Sequence, residues 1–237
     1  MYVPAHFAAG DHAEIAAFVD AAAAADLVTF DGTRPVSTLL PVIWDRSVGS
    51  HGVGSHGVGS HGVGPRGTWP HGRLLGHIAR SNPQWSTAAP EVPALAIVHG
   101  PQAYISPSWY ESSREHGKAV PTWNYTTVHF TGHVTFRSDT GWLRDVVTRL
   151  TERHEAGRAG RWWVSDAPEN FIDGQLRAIV GVELVIERIE AKDKLSQNRP
   201  EQDRARVIAR LRDEPSDGAR AIAELMARRE AGLGSGT

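Results

Sequence analysis

The alternation of hydrophobic and polar residues along this chain predicts a body built mainly of β-strands. Val182, Leu184 and Ile186 fall on one face of a predicted strand, because successive side chains of a strand point to opposite sides. Two β-rich runs flank Asp31-Gly32, a dipeptide typical of tight turns between antiparallel strands. The runs rich in valine, threonine and aromatic residues predict strands at 27–30, 36–44, 73–79, in the run before a break at Gly100-Pro101, at 103–106, and at 120–137 as one bent strand or two.

Helical spacing and capping residues predict helices between and after these strands. Asp11 followed three residues later by Glu14 is typical of a helix start, and Asp139 is predicted to cap another helix. The predicted helices are 11–25, a short one from Pro83, 139–155, 168–177, 200–212 and 216–230. Because few segments follow a strand–helix–strand order, the pattern predicts an antiparallel barrel or α+β fold rather than a parallel sheet.

Residues 50–64 repeat the unit Ser-His-Gly-Val-Gly three times and place His51, His56 and His61 five residues apart. A spacing of five matches neither one face of a helix nor one face of a strand. Two glycines in every five residues also disfavour a fixed metal cage, because ordering such a backbone costs roughly 1–2 kcal/mol per residue. We therefore interpret residues 47–72 as a flexible loop insertion and predict no metal site.

Composition narrows the classes of function. The chain has 237 residues, eight tryptophans and a formal net charge of −2, so it can bury a sizeable core but has no overall attraction for nucleic acid or an anionic membrane. The absence of cysteine excludes disulfides, thiolate catalysis and cysteine-ligated metals. The sequence shows neither a secretory signal pattern nor an apolar run long enough for a membrane-spanning helix, which predicts a cytoplasmic protein.

Candidate binding chemistry is present in the segment from Gly76 to Trp85. Arg80, Ser81 and Asn82 join a predicted strand to a short helix. Helix N–H groups and a guanidinium favour a phosphate, although the same residues can serve only to cap the helix.

Two further segments combine aromatic and polar residues or carry a dense set of donors. Tyr104 and Trp123 lie among amides and hydroxyls, a mixture suited both to a flat conjugated ligand and to the rim of a barrel core. The segment KLSQNRP, residues 194–200, offers donors to an anionic or carbonyl-bearing ligand, or forms a loop leading into a helix. We find no nucleophilic serine motif, phosphate-binding glycine loop or zinc motif, and the catalytic residues are unknown.

Several of these segments also carry a resemblance to a known family. They include MYVPAHF, GHIARSNPQW, GPQAYISPSWY, VPTWNY, LTERHEAGR, VSDAPENFIDGQLRAIVG and KLSQNRP. In this order the chain, from Met1 to about Leu211, resembles the PaiB family of FMN-binding negative transcriptional regulators. The resemblance implies a mainly β (α+β) split β-barrel of the pyridoxamine-phosphate-oxidase-like type with peripheral helices, and a homodimer that holds FMN at the subunit interface.

The resemblance further implies the residues that bind FMN. The phosphate is expected at the strand end and the helix start, and the flavin near the TWNY and KLSQN segments. The implied cofactor-binding residues are His77, Arg80, Ser81, Asn82, Thr122, Trp123, Asn124, Lys194 and Gln197. The implied domain covers residues 1–212, and residues 213–237 form a helical extension and flexible tail.

Three functions stay open at this point. The first, which the resemblance implies, is a flavin-binding repressor of transcription. The second is an FMN-dependent oxidoreductase, in which His99, Tyr104 or Tyr125 can act as acid or base if they reach the ring. The third is a dimeric interaction module without flavin.

Direct DNA binding has only weak support in the sequence. No helix-turn-helix motif is evident. The first of the two terminal helices carries a set of arginines, Arg204, Arg206, Arg210 and Arg212. Neighbouring acidic residues offset these charges, so the helix pair is predicted to pack on the barrel or on a dimer mate.

Overall fold

The computed structural model describes residues 1–9, 11–47 and 71–234. Six strands close into a barrel in the order β1-β2-β3-β6-β5-β4. Their bounds are β1 (Ala24–Phe30), β2 (Pro35–Asp45), β3 (Arg73–Ala79), β4 (Ala94–Ile105), β5 (Thr122–Arg137) and β6 (Ile179–Lys194). The predicted barrel is therefore confirmed.

Seven α-helices accompany the strands in the described ranges. They are α1 (His12–Ala22), α2 (Gln84–Thr87), α3 (Glu111–His116), α4 (Thr140–Glu155), α5 (Glu169–Arg177), α6 (Glu201–Asp213) and α7 (Asp217–Gly234). Asp139 caps α4 by accepting a hydrogen bond from the Trp142 N–H, as predicted. Within the same ranges no helix has the length and apolar character needed to cross a membrane.

The hairpin predicted at Asp31-Gly32 joins β1 to β2, which pair antiparallel along the whole of β1. Gly32 has a φ of 94°, which glycine adopts without steric cost. The Asp31 carboxylate accepts hydrogen bonds from the Thr33 hydroxyl and from the N–H groups of Thr33 and Arg34. These bonds, first of all the one from the Thr33 side chain, lower the pKa of Asp31 to about 2.

The chain between β2 and β3 contains the predicted insertion. The two strands are antiparallel neighbours, with Asp45 opposite Arg73. The segment from 46 to 72 thus connects the adjacent ends of a strand pair. Residues 48–70 lie outside the described residues. The interpretation of the repeat as a flexible loop without a metal therefore stays a prediction.

Two predictions about the long strands are settled by the structure. The predicted break at Gly100-Pro101 is wrong, because β4 continues from Ala94 to Ile105. The fixed φ of proline is compatible with an extended strand, which loses only one N–H donor at that position. Residues 122–137 form a single strand rather than two.

The chain divides into two compact units. The barrel unit comprises Ala16–Val98 and His129–Ile189, and the terminal unit comprises Met1–Ile15, His99–Val128 and Glu190–Thr237. The strands β1, β2 and β3 belong wholly to the barrel unit, whereas β4, β5 and β6 contribute residues to each.

The interior of the barrel unit is closely packed. It leaves a cavity of about 10 Å³, lined by the apolar residues Ala25, Leu27, Leu40, Val42, Leu74, Gly76, Ala96, Val182 and Leu184. Such a space holds no more than about one water molecule. This cavity therefore cannot hold a cofactor of the size of FMN.

The terminal unit has its own core. Its buried residues include Ile105, Tyr110, Leu195, Val207, Leu211, Ile222 and Met226, so that α6 and α7 pack on the strand ends of this unit. Arginines of α6 are paired with acids: Arg204 with Glu230, Arg206 with Glu111 and Arg212 with Glu224. The prediction of a packed amphipathic helix pair is confirmed for this unit.

Candidate functional site

Arg80 lies in the barrel unit, at the turn between β3 and α2. Its guanidinium donates from Nε to the carbonyl of Arg177 at 2.8 Å and from Nη2 to the carbonyl of Ile179 at 2.9 Å. Its backbone N–H donates to the carbonyl of Ala178 at 2.8 Å. The cation is therefore fixed where α5 leads into β6. Among the described residues, none engages Nη1 in a hydrogen bond, so this nitrogen can face an anion.

Asn82 holds the same turn to the barrel. Its Nδ2 donates to the hydroxyl of Thr38 at 2.9 Å, and its Oδ1 accepts from the backbone N–H of Gln84 at 3.0 Å. The capping alternative considered for this residue is thus observed. Ser81, in the same turn, is exposed.

Gln84 is a structural residue that the sequence did not reveal. It is fully buried, with 0% of its surface exposed. Its Nε2 lies within hydrogen-bond distance of three acceptors on β1 and β2: the Leu27 carbonyl (3.0 Å), the Thr29 hydroxyl (3.0 Å) and the Val36 carbonyl (3.2 Å). Its Oε1 is buried and has no hydrogen-bond partner in the part of the chain that the structure describes. The Gln84 side chain therefore ties the turn to the first two strands.

His77 lies on β3, three residues before Arg80, with Gly181 of β6 opposite. Its Nδ1 is buried and has no hydrogen-bond partner among the described residues. Burial lowers the pKa of His77, which keeps the imidazole neutral at pH 7. A buried nitrogen without a partner is a point at which a polar ligand atom or a water molecule gains a hydrogen bond.

Lys194 lies in the terminal unit, at the end of β6. Its ammonium donates to the hydroxyl of Thr122 and, at 2.7 Å, to the carbonyl of Trp123. Burial, followed by the charges of Lys192 and Arg199, lowers the pKa of Lys194. Its partners are neutral oxygens, so its positive charge is not balanced by an ion pair within the described part of the chain.

Trp123 and Tyr104 form an exposed aromatic pair in the same unit. Their exposed fractions are 45% and 47%, and their ring centroids lie 6.3 Å apart. The indole N–H of Trp123 donates to Oε1 of Gln102 at 2.9 Å. This hydrogen bond fixes the orientation of the indole although the ring is half in water.

Asn124 and Gln197 use their amides within the protein. Asn124 is fully buried, and its Nδ2 donates to the hydroxyl of Ser196 at 3.0 Å. Gln197 accepts from the Leu195 N–H at 2.7 Å and donates to the Asp193 carbonyl at 2.5 Å. Both side chains shape the turn after β6, and a ligand contact would have to compete with these hydrogen bonds.

The predicted cofactor residues fall into two groups, one in each unit. The barrel unit holds His77, Arg80, Ser81 and Asn82, and the terminal unit holds Thr122, Trp123, Asn124, Lys194 and Gln197. Thr122, Trp123 and Lys194 are in direct contact, as are Asn82 and the helix that follows it. Their role as FMN ligands stays a prediction.

Comparison with known proteins places this chain in a family. Residues 1–188 match the family described as "Putative FMN-binding domain". The chain is also 33% identical to the "Protease synthase and sporulation protein PAI 2" of Bacillus subtilis over 226 residues, which cover 95% of this chain and 96% of that protein. The chain belongs to the PaiB family.

Solved structures resemble this PaiB-family chain in fold. A flavocytochrome from Azotobacter vinelandii has a TM-score of 0.54 at 14% identity, covering 86% of this chain and 78% of its own. A conserved hypothetical protein from Mycobacterium tuberculosis has a TM-score of 0.52, also at 14% identity, covering 84% and 94%. At such identities the likeness concerns the fold alone, which is the split β-barrel expected from the sequence.

Proposed function

We propose that this PaiB-family protein binds FMN. The observation that carries the proposal is the fixed guanidinium of Arg80 in the turn after β3, together with the match to an FMN-binding family over residues 1–188. His77, three residues earlier on β3, adds a buried Nδ1 that has no hydrogen-bond partner among the described residues. These groups fit a phosphate ester: Arg80 offers Nη1, Ser81 a hydroxyl and His77 a neutral ring nitrogen. A bound FMN would supply redox chemistry, and the protein would supply its binding and orientation.

The phosphate assignment is tested by comparing FMN with riboflavin, which lacks the phosphate. Arg80→Ala is expected to weaken FMN binding by about 1.5–3 kcal/mol, the usual contribution of a charged hydrogen bond, and to leave riboflavin binding unchanged. Arg34→Ala is the matched control, because Arg34 is an exposed arginine of the same unit. Equal losses for FMN and riboflavin would show that Arg80 only supports the fold.

We further propose that the protein is a homodimer in which the outer face of the barrel unit is an interface. Val28 of β1 lies opposite Leu95 of β4, and the adjacent β2 carries Leu39, which is 67% exposed. This face also carries Asp26 opposite Leu39 and Ser37 opposite Val28. Outward positions of a solvated antiparallel sheet are normally polar, so the apolar residues among them favour a covering partner. The partner proposed from the family resemblance is a second copy of this chain.

Light scattering on the purified protein tests this interface. The wild type is expected to have the mass of a dimer, and Leu39→Asp is expected to shift it to the monomer, since a buried unpaired carboxylate is costly. Val92→Asp, at an exposed position outside the strands, is the control that should remain dimeric. A monomeric wild type would contradict the proposal.

For the biological role we propose negative regulation of transcription, the role of the family that the sequence resembles. The ion pairs of Arg204, Arg206 and Arg212 weigh against direct DNA contact through α6, so regulation through another surface or a partner protein fits better.

Transcript levels in cells without the protein are expected to rise for a defined set of genes. Unchanged transcripts, combined with rapid reduction of bound FMN by NADH or NADPH, would favour an oxidoreductase instead. A protein that takes up no flavin would favour a dimeric interaction module.

A further inference from the structure

Three cations of the terminal unit form no close ion pair among the described residues: Lys192, Lys194 and Arg199. Arg204 and Arg229 of the same unit do pair with acids. Of the three, Arg199 has an acidic neighbour, because its charge lowers the pKa of Asp203. The charges of Lys192 and Arg199 act on Lys194 and lower its pKa, so the three lie close enough to reinforce one another. The result is a local excess of positive charge in a protein whose net charge is −2.

Aromatic rings accommodate two of these cations. Lys192 is buried, donates to the carbonyl of Tyr2, and lies 5.4 Å from the ring centroid of Tyr125. Arg199 lies 4.5 Å from the ring centroid of Tyr110. Lys194 has no such ring within the described residues. It is therefore the cation of this group that remains for an external anion.

The ammonium of Lys194 is held beside an exposed aromatic surface. It donates to the carbonyl of Trp123 itself and to the hydroxyl of the preceding residue, Thr122. An ammonium has three N–H groups, so one donor remains after these two contacts. The indole of Trp123 is fixed by Gln102 and is accompanied by Tyr104. A positioned donor from the end of β6 thus contacts the backbone of the residue on β5 that carries the positioned ring.

We propose that Lys194, Trp123 and Tyr104 form a binding site for a planar anion, whose ring lies against the exposed aromatic side chains and whose negative group pairs with Lys194. An aromatic carboxylate has this chemistry. The proposal does not depend on the turn after β3 that holds Arg80, because every contact that supports it lies in the terminal unit.

Binding of 2-naphthoate to the full chain, measured by equilibrium dialysis, tests the site. Lys194→Met is expected to weaken 2-naphthoate about tenfold or more, the effect of a lost charged hydrogen bond, and to leave the neutral 2-naphthalenemethanol unaffected. Trp123→Ala should weaken both compounds, because it removes the ring surface. Lys194→Arg keeps the charge and should restore 2-naphthoate binding.

Matched controls separate the site from general effects. Trp162→Ala removes an equally exposed tryptophan of the barrel unit, and Lys118→Met removes an exposed lysine of the terminal unit. Neither should change 2-naphthoate binding. The proposal is overturned if the wild type does not bind 2-naphthoate, or if Lys194→Met binds both compounds as the wild type does.

Competition with FMN tests whether this site is separate from the flavin. If 2-naphthoate binds equally well to protein saturated with FMN, the site takes a second aromatic anion, as proposed. If FMN displaces 2-naphthoate, the site belongs to the flavin that the family resemblance implies, and the proposal is overturned. The 2-naphthoate measurements stand even for a protein that fails to bind FMN.

Discussion

Replacement of Gln84 by methionine is the most informative test of how the turn after β3 is built. Gln84 is fully buried, and its amide nitrogen faces three acceptors on β1 and β2. An amide nitrogen carries two hydrogens, so at most two of these contacts are full hydrogen bonds at one time. Methionine has nearly the same length and volume, but it donates nothing.

The expected loss follows from the hydrogen bonds. Two lost bonds lower the free energy of unfolding by about 1–3 kcal/mol, and the acceptors left without a donor add to this. Removal of the unpartnered Oε1 offsets about 1 kcal/mol, which leaves a net destabilisation of about 2 kcal/mol. Gln84→Glu should be worse than Gln84→Met, because an ionised carboxylate would face acceptors only.

Urea unfolding followed by circular dichroism measures these differences. The midpoint for Gln84→Met should fall while the slope with urea concentration stays unchanged. Gln202→Met is the control, since Gln202 is exposed on α6, and it should change stability by less than about 0.5 kcal/mol. If Gln84→Met is as stable as the wild type, or if Gln84→Glu is the more stable variant, the proposed role of the amide is wrong.

Three further predictions concern the barrel, the cation of the terminal unit and the insertion. Gly132→Ala should lower the free energy of unfolding by about 3 kcal/mol in urea, because the added Cβ would lie 1.8 Å from the Val185 carbonyl oxygen. Gly160→Ala is the control and should be neutral, because a Cβ added there would meet no atom within 4 Å. Because the pKa of Lys194 is lowered, the folded state binds fewer protons than the unfolded state between the lowered pKa and 10.5. The unfolding free energy of the wild type minus that of Lys194→Met should therefore rise with pH over this range, and a flat difference would contradict the pKa shift. Deletion of residues 50–59 should leave FMN binding unchanged in a titration, and a lost affinity would overturn the interpretation of the repeat as an insertion.

Features determined by neighbouring residues could be predicted from the sequence. The hairpin at Asp31-Gly32 and the helix capped by Asp139 depend on contacts within a few residues, and both are present. The third strand has the predicted bounds, Arg73–Ala79. Local chemistry decided these elements, and a local pattern was therefore enough.

Features determined by distant partners could not be predicted. Helix α3 was missed because its first turn is stabilised from α6: the carboxylate of Asp203 accepts from the N–H and the hydroxyl of Ser112, 91 residues away. Burial alone would raise the pKa of Asp203, but these hydrogen bonds make the net shift downward. Glu183 falls on the polar side of its strand by alternation, yet it is 2% exposed because Arg73 and Arg137 pair with it.

The candidate site shows the same division. The pattern of Arg80, Ser81 and Asn82 correctly suggested a strand end followed by a helix. It did not reveal that the Arg80 side chain donates to the carbonyl of Arg177, which lies 97 residues later in the chain. The one sign of Gln84 in the sequence was an amide next to a predicted helix start, which is far more often exposed than buried.

Titration of the purified protein with FMN tests the central claim most directly. The protein is expected to quench or shift the flavin absorbance and fluorescence and to saturate at one FMN per chain. Arg80→Ala should reduce this affinity, and the Arg34→Ala control should not. A wild-type protein that is correctly folded by circular dichroism and leaves the FMN spectrum unchanged at saturating concentrations would contradict the claim.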